Sequence, residues 1–433
     1  MGCTTSTSEV VESPPARIDT SSAGPTGLGW WGSTAVRAGQ LVAALSRRAG
    51  RGSGSIIGGR VTLAMDPAAL SRLSAGRRVV LVSGTNGKTT TSHMLAAALG
   101  CLGPVAHNAS GSNMADGAVA ALAERPDARW AVLEVDELHL ASVARRCSPT
   151  AIVLLNLTRD QLDRAAEVRR TAASIGAALA GLPDTTVFAN ADDPMTVWAA
   201  EHAAGPVTWV AAGAEWRADS LTCPRCGRLL VEAAAHWSCG CGLARPAPSW
   251  WLDGELACRA ESCTPLSLGL PGGVNRANAL MALAAAELES VPPGQAAAAI
   301  GQLSQVAGRY AAVTRGRHTL RLLLAKNPAG WAATLSMLSP ARPLVVAVNA
   351  READGRDTSW LWDVDFGALG ERPLVASGDH AADVGVRLSY ADLAHHTDTD
   401  PLAALEWLPA GDVDVVANYT AFYALQQQLG AGR

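Results

Sequence analysis

The run Val79-Val80-Leu81-Val82-Ser83-Gly84-Thr85-Asn86-Gly87-Lys88-Thr89-Thr90-Thr91 narrows the folding options of this chain more than any other stretch. Consecutive apolar residues, a turn with two glycines and a Thr-rich continuation read as a buried strand, a tight turn and the start of a helix. At such a junction the backbone N–H groups of the turn and of the helix N-terminus can cradle a phosphate. Lys88 can reach its outer oxygens, and Thr89 can ligate Mg²⁺. Only two residues separate Gly84 from Gly87, against four in the usual phosphate loop. Lys88 carries added weight because the chain has one other lysine, Lys326, beside 33 arginines. A guanidinium does not replace a compact ammonium where a point charge must sit close to phosphate. The loop therefore predicts an ATP-binding set of Gly84, Thr85, Asn86, Gly87, Lys88, Thr89 and Thr90.

The surroundings of the loop alternate in the same style. Strand-length apolar runs at Val79 to Val82, Ala131 to Val135, Ala151 to Leu155 and Thr186 to Ala189 are separated by Ala-rich helical stretches such as Ser92 to Leu102 and Arg169 to Ala180. This pattern predicts a parallel sheet with helices on both faces. A short β-like run is expected at Arg60 to Leu63. A second alternating set, Leu320 to Leu324, Leu344 to Val348, Pro373 to Ala376 and Val413 to Ala417, predicts a smaller α/β domain, Rossmann-like in style. The expected organisation is a disordered tail over 1–34, a central ATP-binding domain over 35–315 and a C-terminal domain over 316–433. The near-neutral balance, net charge −4, argues against a chain whose main task is gripping a nucleic-acid backbone. No apolar run is long enough to span a bilayer.

Cys223-Pro224-Arg225-Cys226 and Cys239-Gly240-Cys241 bracket a Gly-rich insert, 222–246, in which four thiolates can converge on one structural Zn²⁺. Four sulfur ligands leave no open coordination position for catalysis. The nine cysteines, an odd number, read as the usage of a reduced compartment with a metal knot and not as a disulfide framework.

The short Gly-Thr-Asn-Gly-Lys-Thr loop resembles that of the Mur ligases and folylpolyglutamate synthetases. Several further segments resemble that family in the same order along the chain. Glu134 ends the second apolar run, where the family places a Mg²⁺-binding carboxylate. Asn156-Leu157-Thr158-Arg159-Asp160-Gln161-Leu162-Asp163 is similar to a family segment in which Gln161 would be a histidine. Asn190-Ala191-Asp192-Asp193-Pro194 and Asn275-Arg276-Ala277-Asn278 are similar to nucleotide-contacting stretches, and Arg309 to a hinge arginine. Val274 and Ala277 stand where aromatics are usual. No lysine lies between Lys88 and Lys326, so the carbamylated lysine that holds a second Mg²⁺ in many Mur ligases has no counterpart. A domain for a UDP-linked substrate is not expected in the residues before the loop.

Lys326-Asn327-Pro328-Ala329-Gly330 and Ala353-Asp354-Gly355-Arg356-Asp357-Thr358-Ser359-Trp360-Leu361-Trp362-Asp363-Val364-Asp365-Phe366 narrow the resemblance to the MurT branch, the ligase subunits of bacterial lipid II isoglutaminyl synthases. The resemblance implies ATP-dependent amidation of the D-glutamate α-carboxylate of the lipid II stem peptide, through an acyl phosphate. It implies ammonia from a GatD-like glutaminase partner, in a heterodimer, at the inner face of the membrane on the cytoplasmic side. Its cofactors would be ATP, Mg²⁺ on Thr89 and Glu134, and structural Zn²⁺ on Cys223, Cys226, Cys239 and Cys241. Asn275, Asn278 and Arg309 would position the nucleotide, and Lys326 the acceptor carboxylate or acyl phosphate. Asp354 or Asp357 would complete the glutaminase's Cys-His pair. The enzymatic alternative is a ligase that adds an amino acid.

Overall fold

A computed structural model describes residues 29–49, 54–109, 111–159, 168–213, 216, 218–233, 236–303 and 310–430. Three helices, α1 (Trp30–Arg48), α2 (Ser55–Met65) and α3 (Ala69–Ser74), precede the first strand, β1 (Arg78–Ser83). After the phosphate loop come α4 (Lys88–Gly100), β2 (Val105–His107), α5 (Ala115–Glu124), β3 (Trp130–Glu134), β4 (Ala151–Leu154), β5 (Thr186–Asn190) and β6 (Val207–Ala211). The insert contributes a hairpin, β7 (Val231–Ala233) and β8 (His236–Ser238). The chain then returns through β9 (Trp250–Asp253), β10 (Leu256–Arg259) and β11 (Ser262–Pro265).

These strands form one sheet in the order β11-β10-β9-β6-β5-β4-β1-β3-β2, with the hairpin β7–β8 apart from it. Pairing is parallel from β9 to β2, and β10 and β11 extend the edge antiparallel. Because side chains alternate across a strand, β1 feeds two cores. Val79 and Leu81 join Leu70, Leu122, Val143 and Ile175 on one face. Val80 and Val82 join Met94, Leu95, Leu280 and Leu283 on the other. Burial on both faces explains why β1 reads as a continuous apolar run and not an alternating one. Successive connections leave β1 flanked by β3 on one side and β4 on the other. The carboxyl end of β1 is therefore the crevice where open α/β sheets bind ligands.

A second sheet has the order β12-β13-β17-β14-β15-β16. Its strands are β12 (Tyr310–Arg315), β13 (His318–Leu324), β14 (Leu344–Ala347), β15 (Leu374–Ser377), β16 (His396–Asp398) and β17 (Gly411–Ala417). All its pairs are parallel except β12–β13. Val346 and Val348 pack with Trp331, Trp360 and Phe366 on one face, and Val345 and Ala347 with Phe422 and Leu425 on the other.

Several expectations change. The run Arg60 to Leu63 lies within α2 and is not a strand. Gly58, Gly59 and Thr62 of α2 are its buried residues, and Gly39 of α1 approaches so closely that a Cβ there would stand 2.5 Å from the Gly58 carbonyl oxygen. Small residues at this crossing reward a helix pair more than local β propensity rewards a strand. Trp30 to Thr34, expected in the tail, form the start of α1, where the Trp31 indole donates to the Met65 carbonyl at 3.2 Å. Met1 to Leu28 lie outside the described residues. The second sheet takes its first strand from Tyr310, ahead of the expected boundary at 316, because β12 and β13 are the arms of one hairpin around Gly316. A disulfide joins Cys258 and Cys263, which are directly opposed in the β10–β11 pair, against the expectation drawn from overall cysteine usage. Among the described residues no helix is long and apolar enough to cross a membrane.

The second sheet is pinned by one buried charge. Asp414, fully buried on β17, accepts from the Arg321 guanidinium through both oxygens at 2.7 Å, with Arg342 at 3.7 Å. Removing the carboxylate strands Arg321 beside an apolar core, which costs about 3–5 kcal/mol. Asp414→Ala is expected to lower the thermal midpoint by several degrees in calorimetry, and an unchanged melt would refute this role.

Candidate active site

The phosphate loop is held from behind by Asn156, at the end of β4. The Thr85 amide donates to the Asn156 carbonyl at 2.8 Å and the Asn86 amide to its side-chain oxygen at 2.9 Å, while Asn156 Nδ2 returns a bond to the Asn86 carbonyl at 3.0 Å. Thr85 and Thr158 exchange two further bonds. Both loop glycines have positive φ, and neither position has room for a side chain. A Cβ on Gly84 would stand 2.9 Å from the Asn156 carbonyl oxygen, and one on Gly87 2.5 Å from the Asn278 side-chain oxygen. No side chain caps α4, so its first amides remain available to an anion.

Lys88 is buried and folds back over the loop, donating to the carbonyls of Gly84 at 2.5 Å and Thr85 at 3.1 Å and to Glu137 at 2.9 Å. Burial opposes its charge, but Glu137, Asp136 and Glu134 outweigh that and raise its pKa above the ordinary lysine value. The ammonium is thus kept charged at the loop. Glu134 is 2% exposed, and among the described residues its Oε2 has no hydrogen-bond partner. Asn108 braces the backbone on either side of that carboxylate, accepting from the Glu134 amide at 2.8 Å and donating to its carbonyl at 2.9 Å. A Cβ on Gly111 would lie 4.0 Å from both Glu134 Oε2 and Thr89 Oγ1, so the orphaned oxygen and the threonine hydroxyl face one small space. A buried carboxylate oxygen with unmet demand beside a hydroxyl is a hard-oxygen donor set that fits Mg²⁺.

A cavity of about 210 Å³ lies beside the loop, walled by Asn86, Asn156, Asn190, Asp193, Trp216 and Asn278, with Ala329 and Ala333 of the C-terminal domain closing one side. A second cavity, about 110 Å³, contacts Gly87, Thr90, Asn275, Asn278 and Gly330. Asn278 touches both, while the Asn275 amide group is engaged by the Pro271 carbonyl at 2.6 Å. Asp192 and Asp193 are buried. Asp193 caps the helix Pro194–Ala200 and accepts from the Leu157 amide at 2.6 Å, and burial pushes its carboxyl up to about 6. Val274 and Ala277 line the larger cavity with Trp216, whose indole donates to Asp219 at 2.7 Å. Arg159 also pairs with Asp219 and reaches Asp363 of the C-terminal domain at 3.5 Å. Arg309, Gln161 and Asp163 lie outside the described residues. Trp216, Asn108 and Glu137 were not assigned roles from sequence. Trp216 and Asn108 belong to no recognisable motif, and Glu137 gave no signal beyond its closeness to Glu134.

In the insert, the sulfur atoms of Cys223, Cys226, Cys239 and Cys241 all lie within 4.8 Å of one another. Cys223 and Cys241 are 3.6 Å apart and Cys226 and Cys239 3.4 Å, near the edge of about 3.8 Å expected for a tetrahedron with Zn–S bonds of about 2.3 Å. Burial pushes the Cys223 thiol up to about 12, whereas the hydrogen bond from the Leu243 amide holds the Cys241 thiol down at about 6. Trp237, buried with Leu243 and Val197, donates to the Ala191 carbonyl at 3.2 Å, and Arg245 pairs with Asp192 at 2.6 Å. The knot therefore grips the loop that walls the larger cavity.

In the C-terminal domain, Asn327 caps the helix Pro328–Leu335, accepting from the Gly330 amide at 2.8 Å. Lys326 is exposed, with its ammonium 5.5 Å from the Tyr419 ring centre. Asp354 is fully occupied: its oxygens accept from the Thr420 amide at 2.9 Å, the Thr420 hydroxyl and the Arg351 amide at 3.1 Å. Asp357 is exposed, and its hydrogen bond from the Ser359 amide holds its carboxyl below the usual range. Trp360 is buried against Trp331, whereas Trp362 is exposed.

Residues 82–286 match the Mur ligase middle domain and residues 324–422 the MurT ligase C-terminal domain. The chain is 27% identical over 430 residues, 92% of this chain and 97% of the relative, to the MurT subunit of a glutamine-hydrolysing lipid II isoglutaminyl synthase of Staphylococcus aureus. It is 28% identical to that of Streptococcus pneumoniae, over 88% of this chain and 93% of the relative. Among solved structures it resembles a pseudomurein peptide ligase type C from Methanothermus fervidus, with a TM-score of 0.62 at 18% identity, covering 81% of this chain and 78% of that one. MurF from Acinetobacter baumannii gives the same TM-score, 0.62, and identity, 18%, over 86% of this chain and 80% of that one. From these matches and its two-sheet α/β architecture, the chain belongs to the Mur ligase family, in its MurT branch.

Proposed function

We propose that this chain is the ATP-dependent ligase subunit that amidates the D-glutamate α-carboxylate of the lipid II stem peptide, using ammonia from a GatD-like glutaminase subunit. The observation that carries this reading is the phosphate loop facing a two-domain cleft in a chain that is similar, over nearly its whole length, to subunits named for that synthase. A carboxylate is a poor electrophile, and phosphorylation from ATP would give it a leaving group that ammonia displaces. Mg²⁺ on Thr89 and Glu134 would neutralise charge on the transferring phosphoryl group. Lys88 would exchange its loop carbonyls for phosphate oxygens, with Glu137 keeping it protonated and aimed. Asn278 and Asn275 would position the nucleotide, and Trp216 would offer the base the aromatic surface that Val274 and Ala277 lack. Exposed Lys326, steadied by Tyr419, suits an anionic acceptor. Of the two aspartates, the geometry favours Asp357 for orienting a partner's histidine, because Asp354 already spends both oxygens tying its loop to the helix Tyr419–Leu429. An orienting carboxylate of this kind fixes the imidazole tautomer.

Lys88→Ala is expected to abolish ATP-dependent amidation, followed by mass analysis of lipid II, while co-purification with the glutaminase persists. Full activity in this variant would remove the phosphate-loop assignment. Asp357→Asn should cut glutamine-driven turnover by about 100-fold or more but leave turnover with free ammonium nearly unchanged. Equal losses with both nitrogen sources would discard the orienting role. Elemental analysis is expected to find about one zinc per chain, and a strong chelator to lower the melting temperature, since metal binding supplies an insert's folding free energy on the order of 10 kcal/mol. A Cys223→Ser chain that retains full zinc content would contradict the four-thiolate site.

A further inference from the structure

The helix pair that opens the fold has a surface that nothing in the active site uses. Along α1, Trp30, Thr34, Arg37, Leu41, Leu45 and Arg48 are all exposed. At about 100° per residue they fall within an arc of about 80°, so they form one stripe along the helix. The opposite face, with Gly32, Ala35, Val36, Gly39 and Ala43, is buried. Trp30 is 78% exposed, Leu41 63% and Leu45 54%, and their alignment on one stripe, not their exposure singly, is the feature that calls for a role.

Charge separates this surface from an ordinary docking face. Residues 30–65 contain five arginines and no Asp or Glu, in a chain whose net charge is −4. Arg37 and Arg48 lie in the stripe itself, and Arg47 and Arg48 end the helix. Arg60, on α2, is paired with Asp116 at 3.0 Å, and Glu124 of α5 shares a cavity wall with Arg47, so the positive character of the stripe rests mainly on Arg37 and Arg48. Large apolar side chains and an aromatic end residue interleaved with arginines, free of carboxylates, match a surface that lies in the headgroup layer of an anionic bilayer.

We propose that the exposed face of α1 docks the protein on an anionic membrane surface. This inference rests on the hairpin itself and is independent of the amidation reading. Docking of this kind would bring the active site to a lipid-borne acceptor by lowering the search from three dimensions to two.

The test is flotation of the full-length chain with vesicles free of lipid II, made of phosphatidylcholine alone or with phosphatidylglycerol. The anionic vesicles are expected to retain the protein about tenfold better, with the difference shrinking at high salt. The double substitution Leu41→Glu, Leu45→Glu should abolish retention, and Arg37→Ala with Arg48→Ala should reduce the anionic preference, both without change in the circular-dichroism melt. No retention of the native chain on anionic vesicles at low salt would overturn the proposal. So would retention that survives the glutamate pair, retention that requires added lipid II, or retention that emerges only after residues 1–28 are deleted. A dimer that the glutamate pair converts to monomer, with vesicle binding unchanged, would assign the face to a second copy and overturn it equally.

Discussion

The fold of the central domain is organised by how closely three backbone segments approach at the end of β1. Gly84 lets the Asn156 backbone come within a distance that any Cβ would block, and Gly87 does the same for the Asn278 side chain. These two contacts tie the end of β4 and the first turns of the helix Gly273–Glu287 to the phosphate loop, and the cavities on either side of Asn278 exist because of them. A loop with two residues between its glycines is shorter than the usual phosphate loop, and here the missing length is made up by Asn156, which reproduces in side-chain and backbone bonds the bracing that extra loop residues would supply. The third participant is Gly330, at the start of the helix Pro328–Leu335, where a Cβ would lie 3.6 Å from the Asn86 side-chain oxygen. The C-terminal domain therefore meets the nucleotide loop through its own capped helix start.

Much of this was legible in the sequence because the relevant signals are local. A doubly buried strand reads as an unbroken apolar run, and both sheets were located on that basis, from Val79 to Val82 and from Leu344 to Val348. Signals that depend on what lies across space were lost. The run Arg60 to Leu63 has β-like composition, but Gly39 and Gly58 decide in favour of a helix crossing that no window around residue 60 reveals. The Cys258–Cys263 link is likewise a property of the β10–β11 register, hidden beneath a cysteine count dominated by the insert. At the site, Glu134 and Lys88 stood out through motif and rarity. Asn108 braces Glu134 from 26 residues away and Trp216 is held by Asp219 from 3 residues away, and neither spacing carries a name.

The insert is a structural part of the site and not an appendage to it. Its knot presses Trp237 onto Ala191 and Arg245 onto Asp192, the residues that lead into buried Asp193 at the cavity wall. Asp193 in turn orders the end of the β4 loop through the Leu157 amide, next to Asn156. The four-cysteine cluster, outside the cavity lining, thus shapes the cleft through a short series of buried bonds. On the opposite wall, Asp219 holds both Trp216 and Arg159, and Arg159 extends to Asp363. The position of the Trp216 indole in the cavity wall and the approach of the C-terminal domain share one carboxylate.

The charge distribution around Lys88 makes a final connection. Three carboxylates, Glu134, Asp136 and Glu137, raise the pKa of one ammonium, so the loop is acidic on balance. A triphosphate entering alone would meet like charge on that side, with only Lys88 and the α4 amides to receive it. Entry with a divalent cation would reverse the sign of the problem, because the buried Glu134 oxygen, which has no hydrogen-bond partner among the described residues, would help to hold it. Glu137 would then remain as the group that holds Lys88 in place, at 2.9 Å, and the two acidic residues would divide the work between metal and lysine. The scarcity of lysine in the chain acquires a physical reason here: a flexible, compact ammonium can leave the Gly84 and Thr85 carbonyls for a phosphate, whereas a planar guanidinium of fixed geometry would not fit the same buried turn.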